Sequence, residues 1–212
     1  MTAESAAPFI AILDYGIGNL HSAHKAFEKV GADARLVTTA AEAVGAAGVV
    51  LPGVGSFGRC IDSLRDGGLD VVALDAIAAA TPFLGVCVGM QMLFEGSDES
   101  PSKPGLGVFP GMVRLLPDGV KRPQMQWNIL QPVVGRPCPL LDGLPDPPWV
   151  YFVHSYAPEN DTHVVATCDY GGPVTALVQA DGGAPLWAAQ FHPEKSGETG
   201  LAILRRFVDL CR

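Results

Sequence analysis

No apolar run in the chain approaches the roughly 20 residues needed to cross a bilayer. The N-terminus also lacks a basic stretch followed by an apolar core, the mark of an export signal. A cytoplasmic location, with neither export nor membrane insertion, is the expectation. Cations are scarce, with 14 Lys and Arg against 22 Asp and Glu and a formal net charge of -8. Nucleic-acid affinity is led by cation contacts to phosphate, so DNA, RNA and anionic membrane surfaces are poor partners for this chain. No pair of cysteines has C-x-x-C spacing, and the five cysteines, at positions 60, 87, 138, 168 and 211, make an odd set. That argues against a zinc site and a paired disulfide framework and for free thiols in a reducing compartment. The phosphate-cradling pattern G-x-x-x-x-G-K-[ST] is missing as well.

What is present is apolar mass. Hydrophobic residues are 48% of the 212 and charged residues 17%, so burial can offset conformational entropy over most of the length. Residues 1–7 are expected to be a loose tail and residues 8–212 one domain. An apolar run at 9–13 is closed by Asp14 and punctuated by Gly16 and Gly18, as at the end of a buried parallel strand. Leu20, Ala23, Phe27 and Val30 then recur at helical spacing up to Gly31. A strand at 35–38, an Ala-rich helix and a strand at 48–51 repeat the unit, followed by a glycine-rich loop at 52–58. A helix at 69–80 leads into a strand at 82–86, and from there into Cys87 and another helix. Pro and Gly become dense between 101 and 148, with short strands at 111–116 and 127–134. Further strands are expected at 149–153, 164–168, 175–179 and 186–191, before a closing helix carrying Leu201, Leu204, Phe207 and Cys211. The βαβ rhythm predicts an α/β fold with a mainly parallel central sheet, flanking helices and a β-rich C-terminal half.

Gly85-Val86-Cys87-Val88-Gly89 has the G-x-nucleophile-x-G pattern, in which a strained strand-to-helix turn pushes the central side chain out. At a helix N-terminus, unpaired N–H groups favour the attacking thiolate. Cys60, Cys138, Cys168 and Cys211 lack such a setting and read as buried structural cysteines. A nucleophile of this kind needs a base, and a third group to orient that base. His192-Pro193-Glu194, following the strand at 186–191, offers both. His21, His24 and His163 read as surface or helix-face residues. Pro52-Gly53-Val54-Gly55 follows the third strand and could turn backbone N–H groups toward the oxyanion that forms when sulfur attacks a carbonyl, with Val88 N–H as the second donor.

With these motifs the chain resembles the class I glutamine amidotransferases, which carry a Cys-His-Glu site in a flavodoxin-like α/β fold. The resemblance runs over nearly the whole chain. It rests on the segments Asp14-Tyr15-Gly16-Ile17-Gly18-Asn19, Pro52-Gly53-Val54-Gly55-Ser56-Phe57-Gly58, Gly85-Val86-Cys87-Val88-Gly89-Met90-Gln91, Tyr151-Phe152-Val153-His154-Ser155-Tyr156 and Gln190-Phe191-His192-Pro193-Glu194-Lys195-Ser196-Gly197. It implies that Cys87 attacks the side-chain amide of glutamine, His192 moves the protons and Glu194 holds the imidazole. Gln91 would bind glutamine, and His154, Ser155 and Tyr156 would line the same pocket largely by backbone. The resemblance implies neither cofactor nor metal. The order and spacing of the five segments are most similar to members that pass ammonia to a (β/α)₈-barrel cyclase subunit in a heterodimer. By that similarity Asn19, Trp127 and Lys195 face the partner.

One segment departs from the family. Members usually read Pro-His-Met-Gly-Trp-Asn where this chain has Pro123-Gln124-Met125-Gln126-Trp127-Asn128, and a side chain at Gln126 removes the conformational freedom of glycine. Three other readings stay open on sequence: the same chemistry serving a different synthase, a free-standing γ-glutamyl hydrolase, and a binding subunit that has lost catalysis.

Overall fold

In the computed structural model, which describes residues 6–18, 20–159 and 162–212, the first apolar run forms β1 (Phe9–Leu13), with Ile10 to Leu13 wholly buried. Such continuous burial suits a strand covered on both faces. The tail expected at 1–7 falls mainly on residues 1–5, outside the described residues, and Asn19 lies outside them too. After β1 come α1 (His21–Lys29), β2 (Asp33–Val37), β3 (Gly48–Leu51), α2 (Phe57–Asp66), α3 (Leu69–Ala78), β4 (Phe83–Val86) and α4 (Val88–Met92). Next are β5 (Gly96–Ser97), β6 (Met112–Leu115), β7 (Gln124–Ile129), β8 (Gln131–Pro132), β9 (Trp149–His154) and β10 (Tyr156–Pro158). The chain ends with β11 (Val164–Asp169), β12 (Pro173–Gln179), β13 (Leu186–Ala189) and α5 (Gly197–Leu210).

The main sheet runs β2-β1-β3-β4-β13-β12-β11-β8. Its first five strands are parallel and the rest antiparallel. The parallel part has the doubly wound order of flavodoxin-like folds, which bind ligands beyond the carboxyl ends of the strands. The loops that follow β1, β3, β4 and β13 gather at that edge. On the helical layers, α1 packs against α5 through the edge-on contact of Phe27 and Phe207, and α2 packs against α3 and α4. A small sheet β10-β6-β5 and the antiparallel pair β7–β9 make up the β-rich stretch around the fold's rim. Among the described residues, no helix is long and apolar enough to cross a membrane. All five cysteines are buried free thiols.

Two local expectations are corrected. The Ala-rich crossover between β2 and β3 is a single 3-10 turn, Ala41–Ala43, that buries no residue. Alanines offer too little apolar surface to hold a helix on the sheet. The one larger apolar side chain there, Val44, is 77% exposed, and Gly45 at φ +81° ends the turn. In the other direction, α2 occupies residues left without an element on sequence. Phe57, Cys60, Ile61 and Leu64 are all wholly buried, and their i, i+3, i+4, i+7 spacing makes one helical face.

Candidate active site

Cys87 joins β4 to α4 at φ +55° and ψ -113°. Side chains other than hydrogen rarely take this conformation, at a cost of about 1–3 kcal/mol. Its neighbours hold it there. Cys87 N–H donates to Ala189 O at 2.7 Å, and Gln91 N–H donates to Cys87 O at 3.1 Å. Gly89 after the elbow and Gly53 in the loop after β3 permit backbone-to-backbone packing between the two segments. A Cβ on Gly89 would lie 1.9 Å from Leu51 O, and one on Gly53 would lie 2.4 Å from Gly89 N.

His192 follows β13 and opens the 3-10 turn Pro193–Lys195. Its Nδ1 pairs with Glu194 Oε1 at 2.7 Å, with His192 only 2% exposed. Burial opposes charge on the ring, but Cys87 and Glu194 outweigh it and raise the His192 pKa to about 9. The surroundings thus favour the charged imidazole, while Nε2 has no hydrogen-bond partner among the described residues. The turn is braced by groups that sequence reading missed. His192 N–H donates to Tyr151 O at 3.0 Å. Ser196 Oγ donates to His192 O at 2.6 Å and accepts from Tyr151 N–H at 2.9 Å. Gly200 lets α5 lie against Pro193, where a Cβ would come 1.9 Å from the Pro193 carbonyl oxygen.

A cavity of about 360 Å³ brings the sequence candidates together: Cys87 and His192 on one side, with Val54, Gly55, Val88, Gln91, His154, Ser155, Tyr156 and Lys195 around them. Gly53 and Glu194 lie behind it, lining a separate small space beside His192. Gln91 is nearly buried, and both of its amide N–H donors are engaged, to Tyr156 O and to Gln190 Oε1, each at 3.0 Å. Gln190 was given no role on sequence. It is wholly buried, and its Nε2 reaches Cys87 Sγ at 3.8 Å. Glu99, also missed, lines the cavity and accepts from Phe57 N–H at the start of α2, at 2.7 Å. Val88 N–H, one of the expected oxyanion donors, instead donates to Gly53 O at 3.3 Å.

His154 contributes a buried ring whose Nδ1 lies 2.9 Å from Tyr156 O. Burial lowers its pKa to about 4, so it is neutral when His192 is charged and is unsuited to the same proton traffic. Because the folded value lies below the unfolded value of about 6.5, its contribution to stability is present above pH 6.5 and is lost as pH falls toward 4. Linkage puts that loss at about 3 kcal/mol. Denaturant unfolding between pH 7 and pH 4 will show this decline for the wild type and a shallower one for His154→Gln; superimposable pH curves would contradict it.

Trp127 and Lys195 are exposed, Trp127 at 48%. Trp127 stacks edge-on against Tyr151, its register partner in the β7–β9 pair. Gln126 sits in regular strand pairing opposite Phe152, with an exposed side chain, so this position requires no glycine. Gln124 is wholly buried, with its amide nitrogen 3.6 Å from Cys168 Sγ.

An elbow cysteine, a histidine–glutamate pair and a mixed sheet with its parallel strands in this order together define a class of enzyme. The chain belongs to the class-I glutamine amidotransferase family, whose sequence profile matches residues 11–210. Over 206 residues it is 48% identical to the imidazole glycerol phosphate synthase subunit HisH of Methanothermobacter thermautotrophicus, a match covering 96% of this chain and 99% of that one. The protein of the same name from Synechococcus sp. (strain JA-3-3Ab) is 45% identical over 204 residues, covering 94% and 93%. A solved glutamine amidotransferase superposes with a TM-score of 0.71 over 95% of this chain and 98% of its own, at 21% identity, a likeness of fold.

Proposed function

We infer that this chain is the glutaminase subunit of an imidazole glycerol phosphate synthase. It hydrolyses L-glutamine to glutamate and ammonia, and the ammonia goes to a cyclase subunit that makes imidazole glycerol phosphate and AICAR in histidine biosynthesis. The observation that carries the reading is the convergence of Cys87 and His192 on one cavity, with His192 Nδ1 held by Glu194 at 2.7 Å, in a chain nearly half identical to HisH proteins along its length.

The chemistry follows from the site. Cys87 sulfur attacks the side-chain amide carbon, and the carbonyl electrons move onto oxygen. Collapse of that oxyanion breaks the C–N bond while His192 gives its proton to the departing ammonia. This leaves a γ-glutamyl thioester and a neutral imidazole. His192 then takes a proton from water as the water attacks the thioester. The carbon–sulfur bond breaks, glutamate leaves, and the free Cys87 sulfur and protonated His192 are ready for the next cycle. Glu194 orients the imidazole throughout. Gln91 and the 154–156 segment shape the pocket, and Glu99 supplies a carboxylate suited to the substrate's α-ammonium group. The partner is a (β/α)₈-barrel cyclase, bound as a heterodimer in the cytoplasm across the face bearing Trp127 and Lys195, with Asn19 as a further contact on the family resemblance alone. Exposed Met125 and Trp149 extend that apolar face.

Oxyanion stabilisation is incomplete in this state, because the Gly53 carbonyl occupies Val88 N–H. Rotation of the Gly53–Val54 peptide frees that donor and presents a second one, Val54 N–H. A missing oxyanion donor costs about 10²–10³ in rate. Glutaminase turnover will therefore be low for the isolated chain and rise on the order of 10²-fold when the cyclase binds with its nucleotide ligand. Full turnover by the chain alone would sink this gating and favour a free-standing hydrolase. The pathway assignment is tested by mixing the chain with a cyclase from the same organism and assaying glutamine-dependent ring formation. Absence of product, with the cyclase active on ammonium, would reject it.

A further inference from the structure

Three successive carbonyls in the loop after β3 are held by three different donors. Pro52 O accepts from the Tyr15 hydroxyl at 2.6 Å. Gly53 O accepts from Val88 N–H at 3.3 Å. Val54 O accepts from the Cys60 thiol at 3.3 Å. Tyr15 is 8% exposed, Cys60 is fully buried, and neither takes part in the bond-making steps. Burial pushes the Cys60 thiol up to about 11 and the Tyr15 phenol higher still. Both groups therefore keep their protons near neutral pH and remain donors.

The two outer bonds differ from the middle one in what peptide rotation does to them. Each peptide unit is a rigid plane. Turning the Gly53–Val54 plane about the line joining its Cα atoms changes ψ at Gly53 and φ at Val54 and leaves the neighbouring planes in place. The Gly53 carbonyl belongs to the turning plane, whereas the Pro52 and Val54 carbonyls belong to its fixed neighbours. We propose that Tyr15 and Cys60 are positioning residues, two pivots that clamp the peptide planes on either side of Gly53–Val54 so that only this plane rotates to complete the oxyanion hole. The proposal rests on the reading above, that this loop serves the oxyanion. Its own content is that two side chains outside the catalytic set determine how well the rotated N–H is aimed. The bonds are present before and after rotation, so their loss blurs the competent state rather than releasing the resting one.

The test uses the complete complex with its cyclase, measuring glutamine hydrolysis with and without the cyclase's nucleotide ligand, and ammonium-driven ring formation in parallel. Tyr15→Phe and Cys60→Ala are each expected to lower stimulated kcat about 10-fold, the scale of one hydrogen bond. KM for glutamine should stay within about twofold on the same argument that substrate contacts are untouched. Cys60→Ser, which keeps a donor of similar size, should restore most of the rate. Ammonium-driven synthesis should be unaffected. Wild-type kcat in both Tyr15→Phe and Cys60→Ala would overturn the proposal. So would a rise in unstimulated turnover, which would make these groups locks rather than pivots. If Cys60→Ser were as slow as Cys60→Ala, packing would replace hydrogen bonding as the cause. Should Cys60→Ala fail to fold, Tyr15→Phe still decides. Wild-type turnover that is already full without the cyclase and its nucleotide ligand would instead reject the underlying reading of the loop, separating that failure from failure of the pivots alone.

Discussion

Replacing Cys87 with alanine will reduce glutamine hydrolysis, and glutamine-dependent synthesis by the complex, by roughly 10⁴-fold or more, the range seen when a nucleophile is removed from a concerted catalytic set. Synthesis from added ammonium will survive. The split is expected because the substitution removes only sulfur. Alanine keeps the Cβ, so the strained backbone at φ +55° is as strained in the variant as in the wild type. The hydrogen bonds that hold the elbow, from Cys87 N–H to Ala189 O and from Gln91 N–H to Cys87 O, use main-chain atoms and remain. The cavity, the His192–Glu194 pair and the exposed face around Trp127 should persist, leaving docking to the cyclase intact. Loss of both activities would mean that Cys87 supports assembly rather than chemistry. Loss of neither would reject it as nucleophile.

The second large effect is on folding. Gly89→Ala places a methyl group where a Cβ lies 1.9 Å from Leu51 O and 2.8 Å from Leu51 C. Those are main-chain atoms of β3, a central strand with β1 on one side and β4 on the other, so they cannot move aside as a side chain would. The start of α4 must lift away from the β3 loop. Overpacking of this kind costs about 3 kcal/mol, and the displacement also separates Cys87 from Gly53–Val54. Urea unfolding will show the loss of stability, and glutaminase kcat will fall with it. An alanine variant with wild-type stability would mean the elbow is not laid against β3 as described. Gly55 is a useful contrast, because its Cβ position meets no heavy atom within 4 Å and only its φ of +92° favours glycine.

What could be read from the sequence was what is encoded locally. The elbow lies within five consecutive residues, and His192 and Glu194 are separated by one proline, so spacing alone suggested both. The parallel strands were legible because their apolar runs are unbroken. Where the outcome depends on contacts between distant segments, the sequence was less informative. Gln190 sits 103 residues from Cys87, and only its complete burial beside the sulfur reveals it. Tyr15 meets Pro52 across 37 residues. Cys60 reads from the sequence as a buried structural thiol, and buried it is, but spacing does not reveal its hydrogen bond to Val54 O. The missed helix α2 is different. Its apolar positions at 57, 60, 61 and 64 have clear helical periodicity, and the preceding glycine-rich loop obscured where it begins. The overcalled helix between β2 and β3 reflects the converse error, since alanine's helix propensity does not supply the buried face that keeps a helix on a sheet.

The most direct test of the central claim is to quench the working complex in acid after mixing with isotopically labelled glutamine, then locate the label by mass spectrometry of proteolytic peptides. A glutamyl group on the peptide containing Cys87, absent from Cys87→Ala and accumulating in a variant slowed at water attack, is the predicted result. Label on another cysteine, or rapid glutamine hydrolysis with no acyl-enzyme under any quench, would contradict the assignment of Cys87, His192 and Glu194 as the site that releases ammonia.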